Sequence, residues 1–429
     1  MANKDILKEQ FLSGALDDKL TDIYLDTTLL PYLRERFAKA IDSFAAEFND
    51  DDILIFSAPG RTEVGGNHTD HQHGKVLAAS INRDAIAITA PSDKVRVISA
   101  AGGGMIEIDT DDIAKRDDEE GTTASLIRGV LAGLKDRGYK LGGFNAFVTS
   151  DVLIGAGLSS SAAFETLIGT IISGLYNDMT VTPIEIAQIG QYAENVYFGK
   201  PCGLMDQMAS SVGSLVTIDF KDPEKPVVEK VDFDMAAHGY ALCITDTKAD
   251  HVNLTPDYAA VPAEMKAAAA VFGKEFLREV DPAEIMAKLP LIREKVSDRA
   301  ALRALHFITE NARVDEQVKA LREENIDKFL SAVKASGDSS YKYLQNVYTN
   351  RDVEHQAVSI ALGVSDYTLN KDGKNHGVAR VHGGGFAGTI AAFVEKDFVE
   401  EYKKAMDGLF GEGACSVLQI RKFGGMEII

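Results

Sequence analysis

The chain has 429 residues, 45% hydrophobic and 26% charged, the balance of a soluble globular protein with more than one core. A formal charge of −20 argues against a nucleic-acid partner, because phosphate backbones demand Lys/Arg patches. No apolar run approaches the about 18 residues of a membrane helix, Met1–Glu9 is too charged for a secretory signal, and the widely spaced cysteines make neither a disulfide framework nor a zinc motif. A cytoplasmic location with no membrane partner is expected.

In chain order, residues 1–50 read as helical, since Leu29, Leu30, Leu33, Phe37 and Ile41 recur at helical spacing. Asp52–Ala58 predicts a strand that ends at Pro59-Gly60, and Ala85–Ala90 and Val95–Ser99 are further strand candidates. A helix is expected over Thr122–Arg137, then a strand over Gly143–Ser150 leading into a Gly/Ser-rich segment. Ala162–Leu175 reads as a mostly buried helix behind serines suited to N-capping. Residues 259–345 follow a helical pattern, and Val378–Val381 and Thr389–Val394 flank a second glycine cluster as strands. Strands and long helices without regular βα alternation indicate an α+β fold.

The Gly/Ser segment Asp151–Ala163 places Gly155, Gly157, Leu158, Ser159, Ser160, Ser161 and Ala162 at a strand-to-helix passage. Glycines let the backbone approach a ligand, and a helix start offers unpaired N–H donors and a positive dipole end, so phosphate is the natural occupant. A serine there can also meet Mg²⁺ carried by a nucleotide. An ordinary capped turn is the alternative. Nowhere does G-x-x-x-x-G-K-[ST] occur, so this is not a Walker loop. Gly383, Gly385 and Gly388 match G-x-G-x-x-G, but the remaining chain is too short for a Rossmann domain and a strand follows. A glycine-rich hairpin approaching another loop or ligand is expected instead.

Two acidic and basic stretches complete the set. Ala58–Gly74 crowds Arg61, Asn67, His68, Asp70, His71 and His73 into a turn-rich segment. It lacks metal-binding spacing, so its histidines are expected to be solvated, and Arg61 suits a phosphoryl group as a fixed cation. In Ala193–Gln207, Asp206 reads either as a general base or as a helix cap behind a Pro-Cys-Gly loop.

Taken in order, A-P-G-R…H-T-D…G, G-L-S-S-S-A-A, P-C-G-x-M-D-Q and G-G-G-F-x-G resemble the galactokinase family of the GHMP kinases, from about Ile53 to the C-terminal region. The resemblance implies a two-lobed α+β fold with the substrates in the cleft. Its parts would be an N-terminal helical extension over 1–50, a lobe with the phosphate loop over 51–215, and a C-terminal lobe over 216–429. It implies an ATP-dependent sugar-1-kinase, most directly one acting on the C1 hydroxyl of α-D-galactose, with ATP and Mg²⁺. By position, Asp206 is the base and Arg61 stabilises developing charge beside it. Gly155, Gly157, Leu158, Ser159, Ser160, Ser161 and Ala162 bind ATP phosphates, and Ser160, Ser161 and Glu194 hold the metal. Asn67, His68, Asp70, Gly203 and Tyr258 contact the sugar, and Gly383–Gly388 brace the site floor.

The chain departs from the family on the sugar side. Asn67 stands where Glu is usual and Glu63 where Asn is common; His71 and Gln72 replace Tyr-Asn. His382 replaces a threonine, Ala387 a glycine, and Ala259–Pro262 lacks the customary arginines. Asn67 makes an N-acetylated amino sugar, a pentose or a uronic acid the alternative acceptor. A non-catalytic galactose- and ATP-sensing regulator is the third reading.

Overall fold

A computed structural model of the chain describes residues 1–152, 157–249, 254–371 and 373–429. Its strands are β1 (Ala2–Asn3), β2 (Asp52–Gly65), β3 (Lys75–Ser92), β4 (Val95–Ser99), β5 (Met105–Ile108), β6 (Gly143–Ser150), β7 (Leu215–Asp219), β8 (Val227–Val231), β9 (Tyr240–Asp246), β10 (Gly377–His382), β11 (Thr389–Glu395), β12 (Cys415–Leu418) and β13 (Met426–Glu427). A nine-stranded sheet runs β1-β2-β3-β6-β4-β5, with β13 on β2 and β7 and β8 branching from β3. The second sheet has the order β10-β11-β9-β12. Only the β4–β6 pairing is parallel among the described strands.

β2 shows why the fold forms. Leu54, Phe56 and Ala58 enter one core, while the alternate Ile53 and Ile55 enter another. Burial on both faces is what makes Asp52–Ala58 a continuous apolar run rather than an alternating one. The strand does not end at Pro59, as expected, but continues to Gly65 through register shifts at Pro59/Arg61 and Glu63/Gly65. Proline, which has no N–H to give, falls at the first irregularity, so pairing resumes beyond it. Arg61 and Glu63 therefore sit on a braced strand, not in a turn.

Helices α1 (Lys4–Ser13), α2 (Asp17–Tyr24) and α3 (Leu30–Glu47) cover one face of the first sheet. Phe11 and Phe37 stack there with centroids 4.6 Å apart. The N-terminal segment is thus one side of a core, and β1 adds two residues to the edge of β2. The opposite face is covered by α4 (Thr123–Asp136), α5 (Ser160–Asn177) and α6 (Pro183–Tyr192), with α7 (Met205–Val212) on β3 and β7. A boundary at residue 215 falls on the first residue of β7; β7 and β8 stay with the first sheet because β7 pairs with Lys75–Ala79.

The helices α8 (Thr255–Ala270), α9 (Pro282–Ala287), α10 (Leu289–Lys295), α11 (Asp298–Arg322) and α12 (Ile326–Ser339) follow, then α13 (Ala357–Leu369) and α14 (Val399–Phe410) against the second sheet. One core joins the halves: Leu77 and Ala79 of β3 meet Val314 of α11, Phe329 of α12 and Phe393 of β11. The architecture is α+β, with two sheets and the site between them.

Candidate active site

Asp206 is the second residue of α7, and Arg61 lies just past the bulge of β2. Arg61 Nε donates to Asp206 Oδ1 at 2.6 Å and Nη2 to Oδ2 at 2.8 Å, a bidentate pair. Its third nitrogen, Nη1, donates to the Gly157 carbonyl, and the Ser159 hydroxyl donates to Asp206 Oδ2. Asp206, Arg61 and the Gly/Ser segment form one hydrogen-bonded unit. Burial pushes the Asp206 carboxyl up, but the Arg61 charge and the bonds from Arg61 and Ser159 outweigh it and bring it below its ordinary value. Its side chain is 32% exposed, open to a reacting group.

The expected serine cap of α5 is absent. Ser159 occupies the N-cap position in a left-handed conformation (φ 56°) and makes no capping bond, because its hydroxyl is turned to Asp206. Leu158 is buried and its carbonyl accepts from Arg61 N at 3.1 Å. Ser160 opens α5, Ala162 is buried in its first turn, and Gly155 lies outside the described residues.

A second glycine segment presses on the first. A Cβ on Gly157 would lie 2.5 Å from Thr389 Oγ1, and its φ of 64° already favours glycine. His382 accepts the Glu63 N–H at Nε2 (3.1 Å), so its proton is on Nδ1 and is given to Thr389 Oγ1 at 2.9 Å. The hairpin carbonyls are used in turn: Gly383 O by Asn67 Nδ2 (2.7 Å), Gly384 O by His68 Nε2 (3.0 Å) and Gly385 O by the Tyr258 hydroxyl (2.7 Å).

Glu194 lies on a π-helical turn, Ala193–Phe198, that extends α6, a distortion frequent at functional sites. Its Oε1 accepts from Ser161 Oγ at 3.2 Å and Lys200 Nζ at 2.9 Å, and its Oε2 from Gln207 Nε2 at 2.8 Å. A hydroxyl beside a carboxylate is the hard-oxygen donor set that Mg²⁺ takes. Lys200, largely exposed, and Gln207 hold the two carboxylate oxygens in its place.

A cavity of about 530 Å³ opens beside Asp206, lined among others by Arg61, Glu63, His68, Asp70 and Tyr258, within the usual size of small-molecule sites. Burial pushes Asp70 up to about 6, helped by the nearby Asp206 charge. Gly203 faces it so closely that a Cβ would stand 1.8 Å from Asp70 Oδ2. Burial pushes His68 down to about 4, so it is neutral, with Nε2–H given to Gly384 and Nδ1 left as an acceptor.

The histidines are not simply solvated. His68 and His71 line the cavity with their rings 5.5 Å apart, and His73 stacks on Phe276 at 3.7 Å. Both ring nitrogens of His71 are shielded and have no partner among the described residues.

Asn67 lines the same cavity as the other expected sugar contacts, but its amide is committed to protein partners. It is 0% exposed, its Nδ2 donates to Glu63 Oε1 (3.0 Å) and Gly383 O, and its Oδ1 accepts from Ser340 Oγ (3.1 Å) and Asn346 Nδ2 (2.8 Å). Sequence reasoning missed Arg380, whose Nη2 donates to Glu63 Oε1 at 2.6 Å. Its signal was a lone arginine inside the apolar strand Val378–Val381. The signal for Glu63 was its departure from the family letter.

Residues 42–91 match the galactokinase galactose-binding signature and residues 125–214 the GHMP kinases N terminal domain. The chain is 32% identical over 367 residues to the galactokinase of Streptomyces coelicolor, covering 83% of this chain and 88% of that protein. It is also 32% identical over 372 residues to the galactokinase of Actinobacillus pleuropneumoniae serotype 3, with 85% and 91% covered. The chain belongs to the galactokinase family. Among solved structures, Lactococcus lactis galactokinase complexed with galactose superimposes with a TM-score of 0.76 at 26% identity, over 90% of this chain and 98% of that one. Methanococcus jannaschii mevalonate kinase, at 14% identity and a TM-score of 0.60 over 86% and 98%, shares the GHMP kinase fold. As a galactokinase-family member the chain is a kinase acting on a sugar hydroxyl.

Proposed function

We propose that the chain transfers the γ-phosphoryl group of ATP to the C1 hydroxyl of α-D-galactose, giving galactose 1-phosphate. The observation that carries this reading is the Asp206 carboxylate, held by the Arg61 fork, tied by Ser159 to the phosphate segment and open to the cavity. Asp206 accepts the proton of the attacking hydroxyl, and Arg61 balances the negative charge that gathers between acceptor and phosphate. The N–H groups at the start of α5 face the transferring phosphates, with Gly157 allowing their close approach. His68, Asp70, Gly203 and Tyr258 hold the sugar. Phosphoryl transfer asks mainly for positioning and charge neutralisation, and these residues supply both. Ser160, Ser161 and Glu194 are the proposed holders of Mg²⁺, which when bound neutralises phosphate charge. The cytoplasm is the proposed location, in keeping with three free cysteines.

A coupled assay of kcat/KM across galactose, N-acetylgalactosamine, arabinose and galacturonate tests the substrate, with ³¹P NMR locating the phosphate. Galactose is expected to rank first, phosphorylated at C1. Another sugar ranking well above it, or phosphate on another carbon, would overturn the reading.

A further inference from the structure

Positions 63 and 67 carry Glu and Asn where the resemblance has Asn and Glu, and the structure brings these two side chains together. Asn67 Nδ2 lies 3.0 Å from Glu63 Oε1 and 3.3 Å from Oε2. The two departures, four residues apart, are in direct contact.

The consequences differ for the two residues. Asn67 cannot serve an incoming hydroxyl: it is 0% exposed, and its amide is spent on Glu63, Gly383, Ser340 and Asn346. Its backbone is pinned as well, since its carbonyl accepts from His306 Nε2 at 2.9 Å. Glu63 is also buried, and both residues line the cavity with Arg61, His68 and Asp70, so what separates them is which polar atoms are already used. Its Oε1 is taken by Arg380 at 2.6 Å and Asn67 at 3.0 Å, whereas among the described residues Oε2 has only the long 3.3 Å contact. An acceptor-only group with one oxygen under-used, held in a fixed direction by a buried arginine, is suited to receive a hydroxyl proton.

We propose that Glu63 is the carboxylate that accepts a hydrogen bond from the sugar in this chain, and that Asn67 is a positioning residue which aims it. The carboxylate has changed its place on the chain while staying at the cavity wall. This rests on the sugar-kinase reading above, and it explains how the chain departs at both letters without losing the acceptor that either letter alone would remove.

The test pairs variants with deoxy sugars. The sugar that wild-type enzyme turns over best is carried forward together with its monodeoxy analogues, so a wrong sugar and a wrong residue give different results. One analogue is expected to cost wild type roughly 10- to 150-fold in kcat/KM, the range of a hydrogen bond to a charged group. In Glu63→Gln that particular penalty shrinks several-fold, while the penalties for the other analogues stay. Glu63→Asn with Asn67→Glu retains more activity than either single substitution. Equal losses for every analogue in Glu63→Gln, in a protein whose thermal midpoint without sugar is close to wild type, would overturn the inference. So would a double variant that is unfolded or no better than the singles. Absence of turnover on any sugar removes both this inference and the function it rests on.

Discussion

At the scale of single residues, the proposed reaction turns on the Arg61–Asp206 fork. Asp206→Asn keeps the shape and removes the proton acceptor, so kcat is expected to fall about 10²- to 10⁴-fold. Sugar binding by calorimetry should stay near wild type; retention of most activity would remove Asp206 from the role of base. The carboxylates on the sugar side behave differently from Asp206. Burial pushes Glu63 and Asp70 up to about 6, from ordinary values of 4.5 and 3.8, with Arg380 opposing the rise at Glu63. If the sugar needs these groups ionised, kcat/KM for the sugar falls as pH drops through about 6. Their effect on folding has the opposite sense. With the folded pKa raised, the native state holds protons that the unfolded chain has already released, so their stabilising contribution is present at low pH and lost as pH rises towards 6. A pH–rate profile of Glu63→Gln should lose part of the acid limb; an unchanged limb would assign it elsewhere. Gly203→Ala probes the same wall. A Cβ only 1.8 Å from Asp70 Oδ2 must displace that carboxylate, so KM for the sugar should rise while KM for ATP holds.

At the scale of elements, two glycine segments far apart in sequence meet. The β10–β11 hairpin touches the phosphate segment through Thr389 and His382, and the sugar wall through the carbonyls of Gly383, Gly384 and Gly385. Gly157→Ala would add the left-handed penalty of about 1–2 kcal/mol to a 2.5 Å clash with Thr389. KM for ATP should therefore rise more than KM for the sugar; equal changes would place the segment away from the phosphates. Much of this was legible in the sequence, because β4 and β6 are short strands that alternate buried and half-buried residues, and both have the bounds that pattern indicates. What it did not show were facts of approach. Pro59 reads as a strand end, but pairing with β3 resumes past it. Ser159 reads as a cap, but Asp206 captures its hydroxyl from 47 residues away in sequence. Asn67 reads as a sugar contact, and only the arrival of Ser340, Asn346 and Gly383 shows that its amide is fully used. Local periodicity records burial and propensity; it cannot record which distant partner completes a polar group.

Across the whole molecule, one buried carboxylate ties the ends of the chain to the sheet that carries the site. Asp84 of β3 accepts from the Tyr24 hydroxyl of α2 (2.7 Å), Arg36 Nη1 of α3 (2.7 Å), Ser57 Oγ of β2 (2.5 Å) and Arg421 Nη1 (3.0 Å). Arg36 also reaches Asp151 at 3.2 Å, and Tyr32 donates to the same carboxylate at 2.7 Å, just ahead of the phosphate segment. The N-terminal helices therefore bear on the site through this node as well as through their apolar faces. Burial alone would push the Asp84 carboxyl up, but Arg36 and Arg421 outweigh it and bring it below 3.8. With the folded pKa lowered, its contribution to stability is present above pH 3.8 and lost as pH falls through the lower folded value, the reverse of Glu63 and Asp70. Asp84→Asn leaves the buried Arg421 guanidinium without its counter-charge and Arg36 with Asp151 alone, a loss expected to be about 3–5 kcal/mol in urea unfolding at pH 7. The loss should narrow as pH falls well below 3.8 and the wild-type carboxylate is itself protonated. Tyr24→Phe removes one hydrogen bond to a charged acceptor and should cost about 1.5–3 kcal/mol, with kcat unchanged because no reacting group is touched. A stability loss in Asp84→Asn that is small and independent of pH would show that the helices are held by packing alone.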